Sequence, residues 1–190
     1  MEAQFFDTDL KTSKQAIRLI TEWNDAKLID RMVKVNLPGV WTFTSDSKWA
    51  GRKVLQEPFI EHYQKFNSNS GWADDSFPWA RVMQGLSHFS YHASGGKTLL
   101  CDLQGGVYKN GVVLTDPVIM SKTREYGPTD LGPRGISSFF SSHVCSDYCR
   151  KDWRRPSDQT RYYPRTSHTS MEHHVPTRTS RPNMTMTSYK

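Results

Sequence analysis

The chain has 190 residues, 36% of them hydrophobic, with six Trp, eight Tyr and nine Phe, which is enough to bury the core of one domain. Its formal net charge of +6 is uneven: residues 151–190 hold eight Lys and Arg against three Asp and Glu, and the rest hold 17 against 16. The body is therefore close to neutral and lacks the basic face of a nucleic-acid grip, so nucleic acid is not an expected partner.

No apolar run approaches the ~18–20 residues of a membrane span, and the start, MEAQFFDTDLK, has no secretory pattern. Three cysteines, Cys101, Cys145 and Cys149, do not make a disulfide scaffold and fit a reducing compartment. The expected location is cytoplasmic, with no membrane partner.

In chain order, Thr12-Ser13-Lys14-Gln15 has the pattern of a capping box. Ala16, Ile17, Ile20 and Trp23 follow at helical spacing and predict a helix near 13–28. Val33 to Thr44 is strand-like, broken at Pro38-Gly39, and Val54 to Ile60 is a further strand that Pro58 stops or places at an edge. Phe66 to Gly71, FNSNSG, is a loop by composition. Trp79 to Tyr91 reads as a buried helix, Thr98 to Leu103 and Val112 to Thr115 as strands, and Pro133 opens a helix with Ile136, Phe139 and Phe140 on its apolar face. From Lys151 on, 12 of 40 residues are Ser or Thr and apolar residues are scattered, so 151–190 is expected to be a basic, disordered tail.

Two sites stand out. Asn110-Gly111 between alternating apolar residues signals a hairpin. Taken as the two turn residues, they pair Lys109 with Val112 and set Asp102 opposite Ile119, Gln104 opposite Pro117 and Asp116 opposite Gly105. Side chains alternate along a strand, so Asp102 and Gln104 share a face, and Asp116 lies at the same open end. Such hard oxygen ligands suit Mg²⁺. An aspartate at a strand end equally forms an Asx turn, and Asp116-Pro117 is a common turn dipeptide. Two like charges held together, however, call for a cation or a proton.

The second site is His143-x-Cys145-x3-Cys149, which offers ligands that tetrahedral zinc accepts. This is not a common finger spacing, and two ordinary reduced cysteines remain the alternative. A fourth ligand is open among the other histidines. His88 and His92, on a predicted buried helix, are better placed than the tail residues His168, His173 and His174.

Together, GLSHFSY at 85–91, CDLQG at 101–105, LTDP at 114–117, the glycine-rich 127–135 and the H-x-C-x3-C, in this order and spacing, resemble the atypical alpha-kinases. That family includes myosin-heavy-chain kinases, the elongation-factor kinase and kinase domains fused to some ion channels. The resemblance covers about residues 10–150. It implies an α+β, atypical protein-kinase-like (alpha-kinase) two-lobed fold, here mostly C-lobe with part of the N-lobe and stabilised by zinc, with ATP between the lobes.

It further implies an ATP- and Mg²⁺-dependent protein serine/threonine kinase whose partners are ATP and a protein substrate, often a helical segment. By the same resemblance, Asp102 and Gln104 hold Mg²⁺ on the phosphates, and Asp116 orients the substrate hydroxyl or accepts its proton. Glu57 lies near the adenine, and Gly127, Gly132 and Gly135 form a loop by the substrate cleft. Zn²⁺ takes His88, His143, Cys145 and Cys149.

The family's phosphate loop and strand lysine precede the helix matched to 13–28. MEAQFFDTDLK has neither a glycine nor a strand-borne lysine, and Lys34 comes after the helix. Residues 1–150 are therefore expected to be an alpha-kinase domain without those two parts. The alternatives are a truncated kinase, a substitute lysine, or a pseudokinase acting as a zinc-stabilised binding module. The tail's Trp153, Arg154, Arg155, Arg161, Tyr162, Tyr163 and Arg165 read as solvated residues or, in a third class, as a nucleic-acid contact.

Overall fold

A computed structural model describes residues 6–74 and 76–172. Helix α1, Asp7–Asp25, buries Ala16, Leu19, Ile20 and Trp23 along one stripe; Leu19 stands in it where Ile17 was expected, and Ile17 is only half-buried. It starts earlier than the Thr12 capping box implied. Asp7 and Asp9 occupy its first turn, where carboxylates oppose the helix dipole, and the Thr12 hydroxyl donates back to the Thr8 carbonyl at 2.8 Å inside the helix.

Four strands form the main sheet: β1 (Met32–Val35), β7 (Gly111–Leu114), β6 (Gln104–Tyr108) and β4 (Gln64–Lys65), in that spatial order. Strand β1 runs parallel to β7, and the other pairs are antiparallel. Asn24 ties α1 to β1 reciprocally: its amide donates to the Val33 carbonyl (2.8 Å) and its oxygen accepts from the Val33 N–H (3.0 Å). A separate hairpin of β2 (Gly39–Thr42) and β3 (Lys53–Gln56) leaves Val40, Trp41, Val54 and Leu55 exposed.

Strands β5 (Thr98–Cys101) and β8 (Val118–Ser121) form a second pair, packed on α3 (Gly132–Ser142) through Leu99, Cys101, Met120, Ile136, Phe139 and Phe140. Helix α2, Pro78–Ala93, is buried on most sides and packs on α1 through Trp23, Met83, Leu86 and Phe89. Proline opens both α2 and α3, where a missing N–H costs nothing. No helix among the described residues is long and apolar enough to cross a membrane.

The hairpin turn differs from the expected one. Tyr108 pairs with Gly111, so Lys109 and Asn110 form the turn. Gly111 belongs to the strand because β1 approaches it closely: a Cβ there would lie 1.8 Å from the Met32 carbonyl oxygen. Every partner moves by two positions, which preserves the face each side chain occupies. Asp102 and Asp116 still meet.

The tail expectation fails for residues 151–172. Trp153 is 6% exposed, with its ring edge-on to Trp23, His88 and Phe89. Burying one tryptophan contributes roughly 4–6 kcal/mol of transfer free energy, an anchor that average composition conceals. Beyond it, Ser137 and Ser138 of α3 hold the backbone of Thr160 and Tyr162, each at 2.8 Å. Residues 173–190, the rest of that expected tail, lie outside the described residues.

Candidate active site and metal centre

Pairs Cys101↔Val118 and Gly105↔Leu114 are four residues apart on both strands, so β5–β8 and β6–β7 are one ladder interrupted midway. Asp102 and Asp116 sit in the interruption, both in left-handed backbone geometry, at φ 57° and 44°. Aspartate tolerates this region better than most residues, which reconciles the turn reading with a functional one. Asn67 stabilises the break: its Oδ1 accepts from the Leu103 N–H at 2.9 Å.

Asp102 is 1% exposed and fully engaged. Lys65 Nζ from β4 lies 3.0 Å from both of its oxygens, the Asn69 N–H 3.3 Å from Oδ1, and the Thr169 hydroxyl donates to Oδ2 at 2.7 Å. The Gln104 carboxamide oxygen accepts from the Tyr63 hydroxyl, and its Nε2 donates to the Asp116 carbonyl at 3.3 Å. Glu57 accepts from the Thr115 hydroxyl beside Asp116.

The Asp116 carboxyl is exposed but held above its usual 3.8, by partial desolvation first and then by the charges of Glu57 and Asp102. Asp102, Gln104 and Asp116, expected at one end of the hairpin, lie together here, and Glu57, which only the resemblance singled out, lies beside them. Lys65, Asn69 and Tyr63 were missed. Their signal was faint: Lys65 directly precedes the FNSNSG loop that composition labelled only a turn.

The glycine-rich segment is shaped by a residue not singled out, Asp130. Its buried carboxylate accepts from the N–H groups of Ser121 (2.8 Å), Tyr126 (3.3 Å) and Gly132 (3.0 Å) and from the Ser121 hydroxyl (2.6 Å). Gly127 and Gly132 take positive φ, 85° and 68°, within this clamp. Gly135 lies inside α3, where a Cβ would meet the Met120 sulfur at 2.3 Å. The segment joins the aspartate site where Asn69 Nδ2 donates to the Thr129 carbonyl at 2.9 Å.

The second cluster gathers His88 from α2 with His143, Cys145 and Cys149, all ligand atoms lying within 4.8 Å of one another. His143 Nε2 lies 3.2 Å from His88 Nδ1, and the two sulfurs lie 3.6–3.8 Å from these nitrogens. Burial lowers His88 to about 4 and His143 to about 3, leaving neutral imidazoles with lone pairs available to a metal. Burial pushes the Cys149 thiol up to about 11, a cost that a bound cation would reverse.

His88 Nε2 faces the Arg154 carbonyl at 3.2 Å, the outer hydrogen bond that orients a metal-binding imidazole. His92 is instead used elsewhere: its Nδ1 accepts from the Arg154 N–H at 3.2 Å and its ring stacks on Trp153. Two imidazoles and two sulfurs fit a tetrahedral zinc ion. Cys101 is buried apart from this cluster.

A mixed α+β fold whose broken ladder carries acidic and amide side chains, beside a His/Cys cluster, defines an atypical protein-kinase-like domain. Residues 1–149 match the alpha-kinase family, and the chain belongs to it. It is 42% identical over 97 residues to alpha-protein kinase vwkA of Dictyostelium discoideum, covering 50% of this chain and 15% of that protein. It is 38% identical over 105 residues to human eukaryotic elongation factor 2 kinase, covering 54% and 14%. The chain thus matches only a small part of these relatives.

Among solved structures, the fold matches an alpha kinase from Entamoeba histolytica with a TM-score of 0.66 at 23% identity, covering 88% of this chain and 71% of that one. The alpha-kinase domain of myosin heavy chain kinase A in complex with AMPPCP matches with a TM-score of 0.65 at 25% identity, covering 77% and 56%.

Proposed function

We propose that this chain forms the C-lobe and part of the N-lobe of an ATP- and Mg²⁺-dependent protein serine/threonine kinase of the alpha type. The observation that carries the reading is the meeting of Asp102, Gln104 and Asp116 at one ladder break, with Lys65 beside them. Phosphoryl transfer asks a protein mainly for positioning and charge neutralisation, and this group of side chains offers both. The related domain solved in complex with AMPPCP supports nucleotide binding.

In this reading Asp102 and Gln104 hold Mg²⁺, which supplies the positive charge that neutralises the phosphates. The hard oxygen donors fit it, although both residues now accept hydrogen bonds from Tyr63, Lys65 and Thr169. Asp116 aligns the Ser or Thr hydroxyl and takes its proton as the oxygen attacks the γ-phosphorus. The bond to the β-phosphate oxygen then breaks and ADP leaves. A carboxyl held above its usual 3.8 is a stronger base for that step.

Glu57 borders the adenine side, and the 127–135 segment borders the protein substrate. Lys65 steadies the Asp102 carboxylate. His88, His143, Cys145 and Cys149 hold Zn²⁺, joining α2 to the chain after α3 and stiffening the lobe. The kinase domain runs through residue 150, and the 151–172 segment packs on it.

Incubation with labelled ATP, Mg²⁺ and a basic helical peptide containing Ser or Thr tests the proposal. Transfer of label that Asp116→Asn abolishes is the expected result. No transfer, combined with no thermal shift on adding Mg-ATP, would overturn it for this chain.

A further inference from the structure

The segment that leaves the metal cluster crosses the lobe and returns to Asp102. Residues 67–71 serve as its cradle. Ser70 Oγ accepts from the Thr166 N–H at 3.1 Å and faces the Thr166 carbonyl at 3.2 Å. Asn69 closes a reciprocal amide pair with Ser170, donating to its carbonyl at 2.8 Å and accepting from its N–H at 2.9 Å.

Between these grips the Thr169 hydroxyl reaches Asp102 Oδ2 at 2.7 Å, with Lys65 Nζ 3.4 Å from the same hydroxyl. Beyond, Glu172 donates its N–H to the Pro128 carbonyl at 2.8 Å and pairs with Arg124 at 2.7 Å. The docked segment itself lies past residue 149, where the family match ends.

A hydroxyl that gives its proton to a carboxylate oxygen uses a lone pair that a divalent cation needs. Asp102 is buried, and its other contacts come from Lys65 and the Asn69 backbone, within the lobe itself. Thr169 is supplied from beyond the family match, by a segment without regular secondary structure that side-chain grips hold in place. It is the contact that can leave.

We propose that residues 166–170 are a built-in ligand of the candidate active site, and that Thr169 and a divalent cation compete for Asp102. The proposal rests on Asp102 as a metal ligand. When the segment is docked, the site is closed to metal-bound nucleotide; when the cation binds, the Thr169 hydroxyl is displaced and the segment lifts from the Asn69 and Ser70 cradle. A charge-assisted O–H to carboxylate bond makes the competition strong enough to measure.

Mn²⁺ serves as the probe, titrated by electron paramagnetic resonance into the 190-residue chain already loaded with Zn²⁺. Amide hydrogen exchange of residues 166–170 is followed in parallel. Thr169→Val removes the hydroxyl at nearly constant volume, and Thr169→Ser retains it. Expected are about tenfold tighter Mn²⁺ binding by Thr169→Val, the equivalent of ~1.4 kcal/mol, near-wild-type binding by Thr169→Ser, and faster exchange at 166–170 when Mn²⁺ binds the wild type.

Mn²⁺ affinities of wild type and Thr169→Val equal within twofold would overturn the competition while leaving the kinase reading intact. Bound Mn²⁺ that leaves exchange at 166–170 unchanged would do the same. Asp102→Asn must abolish the binding; Mn²⁺ retained by that variant occupies another site and refutes the proposal. If no protein binds Mn²⁺, with melting temperatures equal to wild type, Asp102 is not a metal ligand and both readings fall together.

Discussion

Asp102 and Asp116 occupy the two sides of a single ladder break, each in left-handed backbone geometry, at φ 57° and 44°. The break turns both carboxylates out of the regular alternation, and Asp102 is among the charges that raise Asp116. The two carry different duties in the proposed reaction, so their substitutions separate.

Asp116→Asn should reduce phosphoryl transfer by ~10²-fold or more, the usual contribution of a general base, while metal binding at Asp102 persists. Steady-state transfer and Mn²⁺ titration measure the two effects independently.

The same substitution has a pH signature. Because folding raises the Asp116 pKa above 3.8, the folded state favours the protonated carboxyl, and its charged form costs stability. Asp116→Asn should therefore be more stable than wild type near pH ~7, by less than about 1 kcal/mol because the exposed group is screened. That gain should fade as pH falls through the raised pKa and vanish below the ordinary value, where the wild-type group is itself neutral. Melting curves across this range check the sign.

Metal removal should loosen the lobe. Stripping the His88, His143, Cys145 and Cys149 cluster with a chelator is expected to lower the melting temperature by roughly 10 °C or more, since a structural zinc contributes several kcal/mol of folding free energy. Readdition of Zn²⁺ should restore it, and Cys145→Ser should remove the response. Metal content measured alongside identifies the ion.

Trp153→Ala tests whether the chain beyond 150 is structural. Its ring packs against Trp23, His88 and Phe89, so truncation should cost ~3–5 kcal/mol. Because the next residue's carbonyl orients His88, metal retention should weaken in the same variant, read as faster zinc loss to a chelator.

Gly105→Ala should disrupt the site from the backbone. Gly105 has φ 157°, and a Cβ there would lie 2.0 Å from the Val113 carbonyl, which forces β6 and β7 apart next to Gln104. A loss of about 2–3 kcal/mol is expected, with weaker Mn²⁺ binding, by denaturant unfolding and titration.

Local chemistry made much of this readable. Helical spacing marked the buried face of α1, and Pro133 marked the start of α3. The alternation expected to set Asp102 and Gln104 on one face does not extend to Asp102, which lies in the ladder break; a shift of two partners leaves the faces of the flanking strands unchanged. The turn differs because Gly111 serves β1, pairing with Met32, 79 residues away in the chain, whose approach leaves no local trace.

By itself the sequence determined the kinds of chemistry present: hard oxygen donors on a hairpin, a His/Cys set near a helix end, and the order of motifs that marks the family. Residue type and short-range spacing carry that information. Only the tertiary structure decided the partners. Lys65 and Thr169 meet Asp102 across 37 and 67 residues of chain, and Arg154 meets His88 across 66. Such approaches depend on how buried anchors such as Trp153 draw distant segments together, and periodicity along the chain does not record them.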